Sequence, residues 1–173
     1  FVIIWTTTPW TLPANMAIAV HPDFEYVRVR VGEEIWILAE GLLEDLLKKL
    51  GVSDHEILDK FTGKSIEGLK TKHPFIDRES PVVLADYVTL DAGTGCVHTA
   101  PGHGQDDYFT GLKYKLDIYS PVDHQGKYTS EFPQMEGMFV FKANKPIIEM
   151  LKESGHLLLA ETYGHSYPHC WRC

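Results

Sequence analysis

Proline and glycine cut the first forty residues into short pieces, and this punctuation constrains the fold more than any other feature of the chain. Pro9, Pro13, Pro22 and Gly32 separate β-branched and aromatic stretches at 2–8, 17–21, 26–31 and 35–39. Runs of that kind, bounded by breakers, read as strands. Val27-Arg28-Val29-Arg30-Val31 alternates strictly, as a strand with one buried face should. Helical spacing begins later. Leu42, Leu43, Leu46, Leu47 and Leu50 trace one face, with Lys48 and Lys49 in the last turn and Gly51 as the stop. Further strands are expected at 82–88, 95–99 and 157–162. A second helix is expected at about 105–116, turning Tyr108, Phe109, Leu112 and Leu116 inward. A third is expected to start on Asn144 as N-cap with Pro146 in its first turn, and to end at Gly155. Strands predominate without alternating regularly with helices. The expectation is an α+β fold with a mixed, barrel-like β core and about three helices packed outside, rather than a doubly wound sheet.

A chain of 173 residues with 44% hydrophobic and 23% charged residues fits a single domain, 1–173, that needs no disulfide or metal staple. No apolar run approaches the ~20 residues that span a bilayer, so no membrane partner is expected. The apolar start, Phe1-Val2-Ile3-Ile4-Trp5, has no basic leader and is expected to be a strand entered from a longer chain. Three cysteines form no disulfide framework, which points to a reducing, cytoplasmic setting. The net charge of −8 argues against a broad basic surface for nucleic acid but leaves room for a small contact with one nucleotide end.

Three segments could carry chemistry. In Trp5-Thr6-Thr7-Thr8-Pro9-Trp10-Thr11-Leu12-Pro13-Ala14-Asn15, a strand would turn Thr6 and Thr8 to one face and Thr7 to the other. Paired hydroxyls can hold a water or a polar ligand, and Trp10 could wall an apolar pocket. Threonine also favours strands on its own account, and Trp10 could be plain core. The second segment, His98-Thr99-Ala100-Pro101-Gly102-His103-Gly104-Gln105-Asp106-Asp107, runs from a strand through a glycine loop into a helix. An aspartate in that first turn should titrate below its usual ~3.9 and suit an ammonium partner. Helix capping explains one such aspartate more readily than two. A metal reading would draw on His98, His103, Asp106, Asp107 and His124, without any helical His-x-x-x-His pair to support it. In the third, His169-Cys170-Trp171-Arg172-Cys173, Cys170 and Cys173 have the spacing of half a zinc site. His165 or His169 would have to complete it, unless the other half lies outside the chain.

Together these segments resemble one family. WTTTPWTLPAN, Trp5 to Asn15, resembles the threonine-rich signature of the editing insertion in isoleucyl-tRNA synthetases. Valyl and leucyl relatives typically carry arginine where this chain has Thr8. GTGCVHTAPGHGQDDY, Gly93 to Tyr108, resembles the second signature, and YPHCWRC resembles the exit ribbon of the insertion, 165–173. The synthetase signatures His-Ile-Gly-His and Lys-Met-Ser-Lys-Ser are absent, so the resemblance implies the insertion without an aminoacylation site. It implies hydrolysis of mischarged valyl-tRNA(Ile), because a methylene distinguishes isoleucine from valine by only about 150-fold in the synthetic pocket of such enzymes, the standard illustration of that limit. By the same resemblance, Thr6, Thr7 and Thr8 position the ester or the water, Trp10 and Asn15 frame the pocket, and His98 bounds the side-chain pocket. Asp107 binds the α-ammonium and Tyr167 faces the cavity. The expected partners are the aminoacylated 3′ end of tRNA(Ile), its valine moiety and the rest of the synthetase in cis. No cofactor is expected for editing, and a structural zinc only in the full-length enzyme. A metal-dependent hydrolase built on the His98 to Asp107 cluster, and a non-catalytic module binding an amino acid or an RNA end, are the competing readings.

Overall fold

The computed structural model describes residues 1–162 and 164. Two open sheets organise it. The first has four strands, β1 (Ala17–Val20), β5 (Lys70–Lys72), β6 (Glu79–Leu84) and β7 (Cys96–Thr99), in the order β5-β6-β1-β7. β1 runs parallel to β6 and antiparallel to β7. The second is an antiparallel meander of β2 (Glu25–Val31), β3 (Glu34–Ala39) and β4 (Glu56–Thr62), in the order β3-β2-β4. Three α-helices lie among the described residues: α1 (Leu43–Leu50), α2 (Gln105–Tyr114) and α3 (Val140–Glu153). The α+β class holds, but the described strands do not close into a barrel.

The first segment explains why the β core stays open. Residues 2–8, expected as a strand, form none. Instead Val2 bridges Ile37 on β3 and Trp5 bridges Val97 on β7. Ile3 N donates to Ile37 O at 3.0 Å, and Trp5 N to Cys96 O at 3.4 Å. One short piece thus stitches the edges of two sheets and cannot follow either for its full length.

Tyr26 makes a second stitch from inside. Its side chain is fully buried, its hydroxyl donates to Gly95 O at 2.7 Å, and it accepts from His21 N at 3.0 Å. Gly95 itself adopts φ +70°, and a Cβ there would stand 2.4 Å from the Ala39 Cβ. The two sheets approach so closely at this point that only glycine fits.

α1 follows its leucine spacing. Leu43 and Leu47 are buried against Val27, Val29, Trp36 and Leu38, with Leu46 and Leu50 partly covered. Gly51 ends it at φ +67°, with Val52 N returning to Leu47 O at 3.0 Å. α2 departs from expectation. Tyr108, Phe109 and Leu112 are 40%, 58% and 54% exposed, and only Thr110 and Gly111 of the helix are buried. Gly111 sits so close that a Cβ would meet Pro101 Cβ at 2.8 Å. The helix therefore docks through its small residues and turns its aromatics out. Leu116, beyond its end, is half-buried against the cluster of Ala17, Ala19, Val83 and Val88.

α3 begins at Val140, four residues before Asn144, and carries Pro146 inside it. Burial of Val140, Ala143 and Ile147 among Leu12, Tyr128, Phe132 and Met135 sets that earlier start. Asn144 is therefore not the cap. Its Oδ1 accepts the Trp10 N–H at 2.9 Å instead. The strand expected at 82–88 ends at Leu84, and residues 157–162 form no strand.

Removing the Tyr26 hydroxyl would strand the buried Gly95 carbonyl and the part-buried His21 N–H at the junction of the sheets. Tyr26→Phe is expected to lower the unfolding free energy by about 1–3 kcal/mol, measured by urea denaturation. A change within about 0.3 kcal/mol would mean that backbone contacts, the Phe1-to-Trp5 stitch and Ala39 N to Thr94 O, join the sheets without the hydroxyl.

Candidate active site

The threonine run is a bend, not a strand. Thr8 N donates to Thr6 Oγ1 at 3.0 Å, and the Thr7 and Thr8 hydroxyls lie 3.4 Å apart. The expected division of faces, Thr6 and Thr8 against Thr7, does not occur. A 3₁₀ turn, Pro9–Ala14, follows at once, started by Pro9 at its first position. All three threonines are half-buried.

Behind the bend stands His98, 7% exposed, on β7. The Asn15 amide donates to Ala17 O at 2.9 Å and to His98 Nδ1 at 2.7 Å, while its Oδ1 accepts the Ser80 hydroxyl. With Nδ1 accepting, Nε2 carries the proton and donates to Thr11 Oγ1 at 3.0 Å. Thr11 in turn donates to Thr8 O at 2.9 Å. A chain of hydrogen bonds thus runs from Ser80 through Asn15, His98 and Thr11 to the carbonyl of the threonine bend. Burial, helped by His73 and His103, drives the His98 pKa down to about 3, so the ring is neutral at pH 7. Every polar atom of the Asn15 side chain is engaged within the protein.

Asp107 reverses one expectation. Its pKa is raised, because burial outweighs the hydrogen bonds from Ala100 N–H and the Tyr87 hydroxyl. Those bonds measure 2.9 Å and 3.3 Å. The helix start alone would lower it, but the carboxylate folds back onto the loop instead of facing water. Asp106, its neighbour, is exposed. The pinned loop carries His103, whose ring meets Trp10 edge to face with centroids 5.1 Å apart. Trp10 Nε1 and His103 Nε2 are both buried without a hydrogen-bond partner among the described residues. Phe141 touches the Trp10 ring from the start of α3.

The bend and the turn after it bring Thr6, Thr7, Thr8, Trp10, Asn15 and His98 into one network, and the loop after β7, held by Asp107 from the first turn of α2, brings His103 against Trp10. Tyr167, Cys170, Cys173, His165 and His169 lie outside the described residues. A cleft of about 1200 Å³ opens beside Thr6, Thr7, Asn15 and His73, between the first residues and 155–161. Thr6, Thr7 and Asn15 thus line the cleft, whereas Trp10, His98 and Asp107 do not. No three of His, Cys, Asp and Glu converge as a metal ion requires among the described residues. Thr11, His73, Ser80, Tyr87 and His103 also belong to this network. Thr11 stands within the first motif, whereas nothing local in the sequence ties Ser80 or Tyr87 to it.

Comparison with known proteins fits this fold. The crystal structure of GlLeuRS-CP1 superposes with a TM-score of 0.70 at 15% identity, over 94% of this chain and 85% of that one. The P. knowlesi cytosolic leucyl-tRNA synthetase editing domain gives 0.66 at 18% identity, over 88% and 82%. The architecture is thus that of a synthetase editing domain. A family model described as leucyl-tRNA synthetase, editing domain, matches residues 45–149, and the chain belongs to that family. Isoleucine–tRNA ligase of Petrotoga mobilis is 60% identical over all 173 residues, which make up 19% of that protein. The ligase of Fervidobacterium pennivorans is 59% identical over the same span, again 19% of its length. The chain spans about a fifth of these relatives. Among the described residues, no helix is long and apolar enough to cross a membrane.

Two buried neutral histidines make the site sensitive to acid. His73 donates to Leu12 O at 2.9 Å, and burial lowers its pKa to about 4. A histidine whose folded pKa lies below the ~6.5 of the unfolded chain stabilises fully above that pH, and loses the contribution as pH falls towards the folded value. Below pH 6.5 each should cost about 1.4 kcal/mol per pH unit, down to about 4 for His73 and about 3 for His98. Urea unfolding between pH 7 and 4 should show this slope, reduced by about half in His73→Gln. An unchanged slope would move the acid sensitivity to other groups.

Proposed function

We propose that the domain hydrolyses the ester of valyl-tRNA(Ile) with a water positioned by hydroxyl groups and without a metal ion. It works in cis within a longer isoleucine–tRNA ligase in the cytoplasm. The observation that carries this reading is the threonine bend, backed through Thr11 by a neutral, fully engaged His98 and followed by Trp10, which meets His103 on the loop pinned by Asp107. The water oxygen bonds to the ester carbon, the ester C–O bond breaks, and the proton ends on the released ribose oxygen. Positioning carries much of the rate, since an aminoacyl ester is already activated.

A ring with a pKa of about 3 is a poor general base near pH 7. His98 therefore serves as a wall of the side-chain pocket, and Asn15 acts by holding that wall. The unpartnered Trp10 Nε1 and His103 Nε2 support a polar occupant at this spot, because buried polar groups normally find partners. The Asp107 carboxylate anchors the α-ammonium while it holds the loop.

Valyl-tRNA(Ile) should be deacylated at least about tenfold faster than isoleucyl-tRNA(Ile), since a steric clash can exceed the ~1–3 kcal/mol that attraction to one methylene distinguishes. Equal rates would defeat the size sieve. Exhaustive chelation should leave the rate unchanged. Loss of activity restored by a divalent ion would favour the metal-dependent hydrolase, and no turnover with any aminoacyl-tRNA would leave a binding module.

Asp107→Asn should slow deacylation by about one to two powers of ten, the worth of a charge-assisted hydrogen bond, with folding retained. Asp106→Asn should act near wild type. An N-acetylated valyl ester should be a poor substrate, indifferent to Asp107→Asn. The ionised carboxylate is the binding form, so kcat/KM should rise with pH through a midpoint above 3.8, a limb absent in Asp107→Asn. Equal slowing of the acetylated and free-amine esters would reassign Asp107 to the water or the carbonyl.

A further inference from the structure

The start of α3 carries a surface that the hydrolytic site does not use. Phe139 and Phe141 are 40% and 58% exposed, with ring centroids 5.5 Å apart. Lys142 and Lys145 stand on the first turns of the same helix, Lys142 exposed. Lys127 joins them, because its backbone bridges Phe139. None of the three lysines forms an ion pair among the described residues, although the chain carries a net charge of −8. The lysines Lys49, Lys60 and Lys70, on α1, β4 and β5, each meet a glutamate. Asp123 lies close enough to Lys127 to feel its charge, so Lys142 and Lys145, both exposed, carry the positive character of this aromatic surface.

It is also continuous with the site. Phe141 packs edge-on against Trp10 at 6.5 Å between centroids, and Asn144 of the same helix holds the Trp10 N–H. The outward face of α2 is a contrast: Tyr108, Phe109 and Leu112 are exposed there, but Asp106 lies beside them. Aromatic faces take nucleobases by stacking and lysines take phosphates, a combination that binds single strands without reading their sequence.

We infer that Phe139, Phe141, Lys127, Lys142 and Lys145 form the docking surface for the single-stranded RNA that precedes the reacting terminal nucleotide. Its bases stack on the phenylalanines and its phosphates meet the lysines. This rests on the deacylase reading for the identity of the RNA, and places the incoming strand on the α3 side of Trp10.

The test compares the domain with Phe141→Ala and with Lys142→Glu/Lys145→Glu, each checked for folding by thermal unfolding. Each is assayed on valyl-tRNA(Ile) and on 2′(3′)-O-valyl-adenosine, which lacks the preceding nucleotides. Both variants should lose about five- to a hundredfold in kcat/KM on the tRNA, carried by KM, and nothing on the adenosine ester. The salt dependence on tRNA should flatten in the lysine variant, by about 0.7 in log–log slope for each phosphate left without its lysine. Equal losses on both substrates would overturn the inference by making the patch part of the pocket. No loss on either would also overturn it and leave the surface to a protein partner. If the wild type hydrolyses neither ester, the deacylase reading fails on its own. Anisotropy of a labelled single-stranded RNA with the tRNA 3′ sequence then decides docking: at least fivefold weaker binding by both variants upholds it, and unchanged binding sinks it.

Discussion

One buried, neutral imidazole holds the candidate site together. His98 joins three segments distant in sequence: β7, on which it stands, the turn from Thr8 to Asn15, and β6 through Ser80. Neither nitrogen is left unpaired, which is what permits a ring with only 7% exposure. Protonation would set the Nδ1–H donor against the donating Asn15 amide and break the chain. The same arrangement that removes His98 from proton transfer gives the threonine bend a fixed carbonyl to hang from.

The two sheets supply the frame for that network. β1 is buried along its whole length, between β6 and β7, and Asn15 emerges just before it. The bend is therefore attached at one end to the most deeply buried strand of the first sheet. At the other end, Trp5 is bridged to β7 and Val2 to β3. A segment held by β1 at one end and by β7 and β3 at the other has little freedom to adopt the extended form its composition favours. The resulting bend is what places three hydroxyls within one short stretch.

How much of this is legible in the sequence depends on how local the cause is. β2 and α1 are readable because one face of each is buried and its period is complete, as in Val27 and Val29 or Leu43 and Leu47. β4 is not: its burial alternates weakly, with only Leu58 and Phe61 half covered, and pairing with β2 rather than an apolar pattern makes it a strand. The apolar residues of α2 have a spacing that points inward. The helix packs through Gly111 and Thr110 instead, and a glycine's close approach to Pro101 leaves no mark in hydrophobic periodicity. The site residues are legible as motifs, whereas their roles are not. Asp107 has the look of a carboxylate at a helix dipole, and its burial, set by Tyr87 and the loop from Ala100, reverses the direction of its shift. The coupling of Ser80 and His73 to the motifs exists only in three dimensions.

Stiffness is the property these contacts share, and the proposed size exclusion would depend on it. A pocket that rejects a substrate for one extra methylene must not yield by the width of that group, about 1.5 Å of carbon–carbon bond. A wall of loosely packed aliphatic side chains can repack at modest cost. A wall made of a buried imidazole cannot, because any tilt of His98 lengthens its bonds to both Thr11 and Asn15, and each of those is tied onward to Thr8 O, Ala17 O or Ser80. Displacing the ring would leave several buried polar groups unpaired at once, at ~1–3 kcal/mol each, more than a methylene gains by entering. In the proposed sieve, the polar network behind the bend would convert a small difference in substrate volume into a steep difference in energy, which loosely packed apolar side chains would not do.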